Sequence, residues 1–281
     1  MKPLSNFVVN IVFYHKGSLR IAQGRTKWEK ANLFIMDVLK SIIVWLAGIV
    51  FAILFFPLTF LIWVLTFPFD RDREITHWIL TRQSWLLVLL LPIWKIRIEG
   101  RTKVKKGTTY VIISNHQSIL DILLINCLRY RFKWISKIEN MKVPVLGWYL
   151  RMAGYIIVDR GNKESKEEML ERSRLCLNKG ISIMLFPEGT RSPDCEIGFF
   201  KRGAFQLAIS TGKPILPVLI DGSGGVLPKH GLIFNTGHRI KIKVLDPVPP
   251  ESFNTEDPDT LALYFSTFMT EALKELRAES F

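Results

Sequence analysis

Apolar and polar positions divide this 281-residue chain into two unlike parts. From Ser41 to Phe69 no residue is charged, and most positions are Ile, Leu, Val, Phe or Trp. That run exceeds the ~20 residues a helix needs to cross a bilayer. A second apolar run, Trp85 to Trp94, is short for a span. With Pro57, Pro68 and the cluster Asp70-Arg71-Asp72-Arg73 in or near a bend, the two runs predict a helical hairpin that dips into one leaflet or loops back through the bilayer. After Gly100 the pattern changes to short apolar runs between polar or helical stretches. Predicted strands are Ile93–Ile98, Tyr110–Ser114, Phe132–Ser136, Tyr155–Val158, Ile181–Phe186, Ile215–Ile220 and Ile240–Val244. A helix is marked by a capping box at Ser165–Glu168 and a stop at Gly180, and an amphipathic helix by Pro258 to Glu279. This alternation predicts an α/β fold, a layered parallel or mixed sheet with flanking helices, preceded by an N-terminal membrane-embedded helical hairpin. The natural division is 1–92 and 93–281.

Charge sets the orientation of that hairpin. Lys2, Lys16, Arg20, Arg25, Lys27, Lys30 and Lys40 precede the long run, and Lys95, Arg97, Arg101, Lys103, Lys105 and Lys106 follow the short one. Basic flanks favour the cytoplasm, so both ends, and with them the second domain, are placed on the cytoplasmic face of a membrane. The long run starts too far from Met1 and lacks the small-residue cleavage site of a signal peptide. A small apolar patch, Phe7 to Tyr14, suggests a surface-lying segment before it. The net charge of +13 calls for an anionic partner: nucleic acid, a phosphorylated substrate or an acidic membrane surface. Nucleic acid leaves the Ser41–Phe69 run without a purpose and is set aside. Cys127, Cys176 and Cys195 have neither the spacing nor the histidine pair of a zinc site, so no metal is expected.

Candidate chemistry gathers just after predicted strands. In Asn115-His116-Gln117-Ser118-Ile119-Leu120-Asp121 an imidazole and a carboxylate stand five positions apart. If a helix begins near Ser118, Asp121 lies in its first turn and can reach back to His116. Alone, the pair reads equally as a turn and a helix cap. Gly154 to Arg160 is a strand that delivers Arg160 to its carboxyl end, where the guanidinium faces phosphate oxygens or pairs with Asp159. Phe186-Pro187-Glu188-Gly189-Thr190-Arg191-Ser192 crowds charge around a glycine whose backbone lets an anion approach, and Lys201 and Arg202 add positive charge nearby. Ile215 to Ile220, a core strand by itself, follows.

In this order, behind a hydrophobic amino-terminal segment, these motifs resemble the 1-acylglycerol-3-phosphate acyltransferase family of glycerolipid acyltransferases over roughly residues 85–245. Trp134 to Glu139 and Pro144 to Trp148 are similar to the family's segment between the first two motifs. The resemblance implies transfer of a fatty acyl group from a thioester co-substrate, acyl-coenzyme A or acyl carrier protein, to the free hydroxyl of lysophosphatidic acid, with no other cofactor and phosphatidic acid as product. His116 would take the hydroxyl proton and Asp121 would orient the imidazole. Arg160 and Arg191 would hold the acceptor phosphate, with Glu188, Gly189 and Thr190 around the glycerol and Lys137 as a further contact. Backbone amides near Asn115–Ser118 or in the Glu188–Arg191 turn are candidates for the oxyanion. The rival readings are acylation of another lyso-lipid and a membrane-bound module that binds lipid phosphate without catalysis.

Overall fold

The computed structural model describes residues 27–91, 94–235 and 237–281, so the Phe7–Tyr14 patch and the predicted strand start at Ile93 lie outside the described residues. Two helices, α1 (Lys27–Thr66) and α2 (Glu74–Leu90), lead into the sheet-forming part. Then follow β1 (Lys95–Glu99), β2 (Val111–Ser114), α3 (Leu120–Asn126), β3 (Phe132–Lys137), α4 (Leu146–Met152), β4 (Ile156–Val158) and α5 (Lys163–Asn178). Next come β5 (Ser182–Leu185), α6 (Gly203–Thr211), β6 (Ile215–Asp221), α7 (Ser223–Val226), β7 (Arg239–Val244) and α8 (Pro258–Ala278). The seven strands form one sheet in the order β1-β7-β6-β2-β5-β3-β4. β6, β2, β5, β3 and β4 run parallel, while β7 pairs antiparallel with β6 and carries β1 parallel to itself. The sheet is mixed, and its parallel centre explains why β2 and β6 read as continuous apolar runs: both of their faces are covered.

Alternation along β2 separates the two layers. Tyr110 and Ile112 face a core completed by Leu124 and Leu128 at α3, Leu150 of α4 and Val44 of α1. Val111 and Ile113 face the opposite core with Leu177 of α5, Phe205 of α6 and Phe265, Met269 and Leu273 of α8. The cap of α5 lies three residues before the expected one at Ser165: Asn162 is its N-cap, its Oδ1 accepting from Ser165 N at 3.0 Å. Ser165 Oγ instead accepts from Asp159 N at 2.9 Å. Asn is as good a cap as Ser, and Lys163-Glu164 continue readily into a helix. Gly180 ends this helix with φ +80°.

The hairpin bends at 67–73 rather than at Pro57, which sits inside α1. Asp70 caps α2 with both oxygens, Oδ1 accepting from Glu74 N at 2.8 Å and Oδ2 from Ile75 N at 3.0 Å. Arg73 closes the bend by donating to Phe67 O and Asp70 O, its guanidinium over the Phe67 ring at 4.1 Å. The short apolar run is the second half of α2. This helix is largely inverted relative to a soluble one: Thr76, His77, Thr81, Gln83 and Ser84 are buried beside a single buried apolar residue, Ile79, while Ile75, Trp78, Trp85, Leu89 and Leu90 are exposed. Polar side chains join it to its neighbours, Gln83 Nε2 to Thr59 Oγ1 at 2.7 Å and Asn126 Nδ2 to Ser84 Oγ at 3.0 Å. α1 also lies along the sheet domain. Near one end Trp45 Nε1 donates to Leu232 O at 2.8 Å and Ser41 Oγ accepts from Phe234 N at 2.7 Å. Farther on, the Phe56 ring meets Trp148 and Tyr149 of α4 at 5.2 and 5.5 Å.

Candidate active site

At the carboxyl end of β2 the backbone turns before α3, and the turn is built around one oxygen. Asp121, in the first turn of α3 and wholly buried, directs Oδ2 at three donors: Gln117 N at 2.7 Å, Ser118 N at 2.9 Å and His116 Nδ1 at 2.8 Å. An oxygen that receives two backbone N–H groups acts as an acceptor, so Nδ1 carries the ring proton. Nε2 is then the lone-pair nitrogen, and it has no partner among the described residues. Phe186, just after β5, stacks flat on the imidazole at 3.8 Å and 6°, and the side chain stays 14% exposed. The geometry expected from the five-residue spacing is present.

A second carboxylate grips the same turn from the end of the neighbouring strand, β5. Glu188 Oε1 accepts from His116 N at 2.9 Å and Oε2 from Gly198 N at 3.1 Å. Burial pushes the Glu188 carboxyl up, and these two N–H groups partly offset it. Glu188, expected from sequence beside the acceptor, has both oxygens committed to the protein backbone. This also corrects the oxyanion expectation near Asn115–Ser118, because the amides of His116, Gln117 and Ser118 all donate to carboxylates. In the Glu188–Arg191 turn, by contrast, the amides of Thr190 and Arg191 have no backbone partner among the described residues.

The cationic groups converge on that turn. Arg160, beyond β4, donates through Nη1 to Gly189 O, while Asp159 accepts from Gly161 N instead of pairing with it. Gly189 has φ +73°, and any Cβ there would come within 2.7 Å of Lys201 Nζ, so the glycine admits Lys201 against the turn. Arg191 is half-buried with no ion pair among the described residues, and Thr190 is exposed. Lys137 at the end of β3 pairs with Glu139 at 2.7 Å, and Glu139 also lends its field to Arg160. Arg202 turns away to Asp259 of α8 at 3.4 Å.

Three supporting side chains were missed. Asn115 forms a two-way bond with Ile220 of β6, Nδ2 to O at 2.8 Å and Oδ1 from N at 2.9 Å. Gln117 Nε2 donates to Cys195 O at 3.1 Å, and Arg277 of α8 bonds the same oxygen and Asp221. Phe186 supplies the stacking face. Asn115 and Gln117 lie within the motif itself, and short polar residues at a buried strand end are a signal of backbone anchoring.

The acyltransferase family model matches residues 95–221. The 1-acyl-sn-glycerol-3-phosphate acyltransferase LPAT1 of Arabidopsis thaliana chloroplasts is 38% identical over 161 residues, covering 57% of this chain and 45% of the plant protein. An uncharacterized acyltransferase of Schizosaccharomyces pombe is 34% identical over 188 residues, 65% of this chain and 67% of the yeast one. The chain spans about half the length of the chloroplast relatives it matches. Among solved structures, the 1-acyl-sn-glycerophosphate acyltransferase of Thermotoga maritima superposes with TM-score 0.73 at 26% identity over 88% of this chain and 98% of that one.

Proposed function

This chain belongs to the 1-acylglycerol-3-phosphate acyltransferase family of glycerolipid acyltransferases, and from that premise we propose that it moves a fatty acyl group from a thioester to the second glycerol hydroxyl of lysophosphatidic acid. The observation that carries this reading is the His116–Asp121 pair, with Nδ1–H held by the carboxylate and Nε2 left as a base. The acceptor hydroxyl gives its proton to Nε2 as its oxygen attacks the thioester carbonyl. The tetrahedral adduct then expels the thiolate, which takes the proton back from the imidazolium. Phosphatidic acid and a free thiol, on coenzyme A or a carrier protein, are the products. Asp121 holds the tautomer and stabilises the imidazolium. Glu188 positions the His116 backbone. Arg160, Arg191 and Lys201, with Lys137 behind them, supply charge for the acceptor phosphate, and the amides of Thr190 and Arg191 face the oxyanion.

The lipid acceptor matches the amino-terminal helices. Ala31–Thr66 is the one described segment long and apolar enough to cross a membrane, and 6% of its most apolar window is buried. At 1.5 Å per residue it would be about 54 Å long, well beyond a ~30 Å hydrocarbon core. Its contacts with the sheet domain at both Ser41–Trp45 and Phe56 support a hairpin embedded in one leaflet, and the basic residues on either side of it favour the cytoplasmic face for the catalytic part.

The test is acyl transfer by purified protein in vesicles, with acyl-coenzyme A or acyl carrier protein against a panel of lyso-lipids. His116→Ala is expected to lower kcat by about 10³-fold or more, and Asp121→Asn by about 10²–10⁴-fold. Full activity in the His116 variant refutes the mechanism. A preference for a lyso-lipid with a larger headgroup reassigns the acceptor. Lipid-phosphate binding without turnover by the wild type identifies a binding module.

A further inference from the structure

The carboxyl end of the sheet carries exposed apolar side chains that the site does not use. Ile119, next to the His116 turn, is 45% exposed, and the segment after β3 exposes Ile138 at 41%, Val143 at 46% and Trp148 at 51%. β2, β5 and β3 are adjacent and parallel, so these residues border the same sheet end as His116 and the Glu188–Arg191 turn. Large apolar side chains grouped beside a cleft mark a surface that meets something other than water. The segment is also built to hold them there. Val145 is β-branched yet has φ +65°, a conformation such residues avoid. At Gly147 a Cβ would lie 2.2 Å from the Met141 carbonyl oxygen, so the loop closes on itself without room for a side chain. Met141 and Leu146 turn inward to the core while Val143 and Trp148 stay outside.

Two observations choose the occupant. The Trp148 ring lies 5.2 Å from Phe56, which makes this surface continuous with the exposed apolar face of α1. Lys142 and Arg151, both exposed and without an ion pair among the described residues, flank it with charge that complements anionic headgroups. We propose that Ile119 and the segment Ile138–Trp148 form a lipid-contacting rim of the catalytic domain itself. It rests in the headgroup layer of an anionic membrane, so that the His116 cleft opens onto the leaflet. The proposal rests on the membrane-bound acyltransferase reading above, and its test separates the two.

The full chain, carrying an environment-sensitive fluorophore at Val143→Cys, is reconstituted into phosphatidylcholine vesicles with and without phosphatidylglycerol. The comparison protein carries the label at Glu256→Cys, an exposed position eight residues beyond Val248, which bridges Ile215 at the amino end of β6. Burial pushes the thiols of Cys127 and Cys195 up to about 11, so they label slowly at neutral pH, and a wild-type labelling blank corrects the remainder. The Val143 label is expected to emit to the blue, more so with the anionic lipid, and to be quenched by nitroxide-bearing lipids, while the Glu256 label does neither. Equal emission and equal lipid quenching at the two positions overturn the proposal. In turnover, Ile138→Asp with Val143→Asp is expected to slow acylation of a vesicle-borne acceptor at least about tenfold, the least that losing two inserted apolar side chains implies, and to leave a short-chain water-soluble acceptor unaffected. Equal losses on both acceptors also overturn it. Absence of turnover in the wild type defeats the acyltransferase reading, and the fluorophore then decides the rim by itself.

Discussion

Glu188 ties two stretches of chain together through their amides: one oxygen takes the N–H of His116, 72 positions away, and the other takes that of Gly198. Glu188→Gln keeps the shape but turns an NH₂ toward one of those donors. A hydrogen bond to a charged group contributes about 1.5–3 kcal/mol, so the variant is expected to lose a corresponding part of kcat while the KM for the acceptor changes little. A raised KM at constant kcat would instead show direct contact with substrate. The placement of His116, Asp121 and Arg160 was legible in the sequence because His116 and Arg160 follow strand ends and Asp121 opens the next helix, where local spacing alone sets the geometry. The work of Glu188 was not, since a carboxylate beside Gly189-Thr190-Arg191 reads as a ligand group. Nothing local reveals that the amide of His116 faces it. Asn115 was overlooked for the same reason, its partner being on β6.

Elements were easier to read than their ends. Each of the seven strands overlaps its predicted run: β2 and β6 because burial on both faces leaves an uninterrupted apolar signal, β1 and β7 because apolar and charged residues alternate along them. Helix starts are decided by single hydrogen bonds, and the start of α5 moved when Asn162 outcompeted Ser165 as cap. Pro57 stayed inside α1, and the bend formed where Asp70 could cap α2 and Arg73 could close the turn. α4 depends on Gly147 most directly. Gly147→Ala sets a Cβ 2.2 Å from the Met141 oxygen, and the backbone must move to relieve it. The expected cost is about 1–3 kcal/mol in unfolding free energy, read by denaturant titration in detergent. A change below about 0.5 kcal/mol, the scatter of ordinary surface substitutions, would mean that the loop is looser than its contacts imply.

At the scale of the whole molecule the hairpin and the sheet domain are one body, and His77 sits in their joint. Its Nε2 donates to Tyr130 O at 2.8 Å, its Nδ1 accepts from the Tyr155 hydroxyl at 2.9 Å, and burial holds its pKa down to about 4. The unfolded chain binds this proton below about 6.5, whereas the folded one refuses it until about 4. Stability therefore falls as pH drops from 6.5 toward 4, by up to about 3 kcal/mol from this group, and levels off below. His77→Gln should weaken the joint at neutral pH yet flatten that part of the pH profile. Thermal unfolding of both proteins across this range reads the difference, and parallel profiles would refute it. The joint was hidden in the sequence because α2 carries its polar residues inward and its apolar ones outward, the reverse of a soluble helix. Held along the sheet domain at Ser41–Trp45 and again at Phe56, α1 would, in the proposed one-leaflet seating, keep His116 at one height relative to the apolar layer. On that proposed seating, height would act as regioselectivity: the glycerol of a membrane lipid presents its oxygens at graded depths, and a base fixed at one height would meet only one of them.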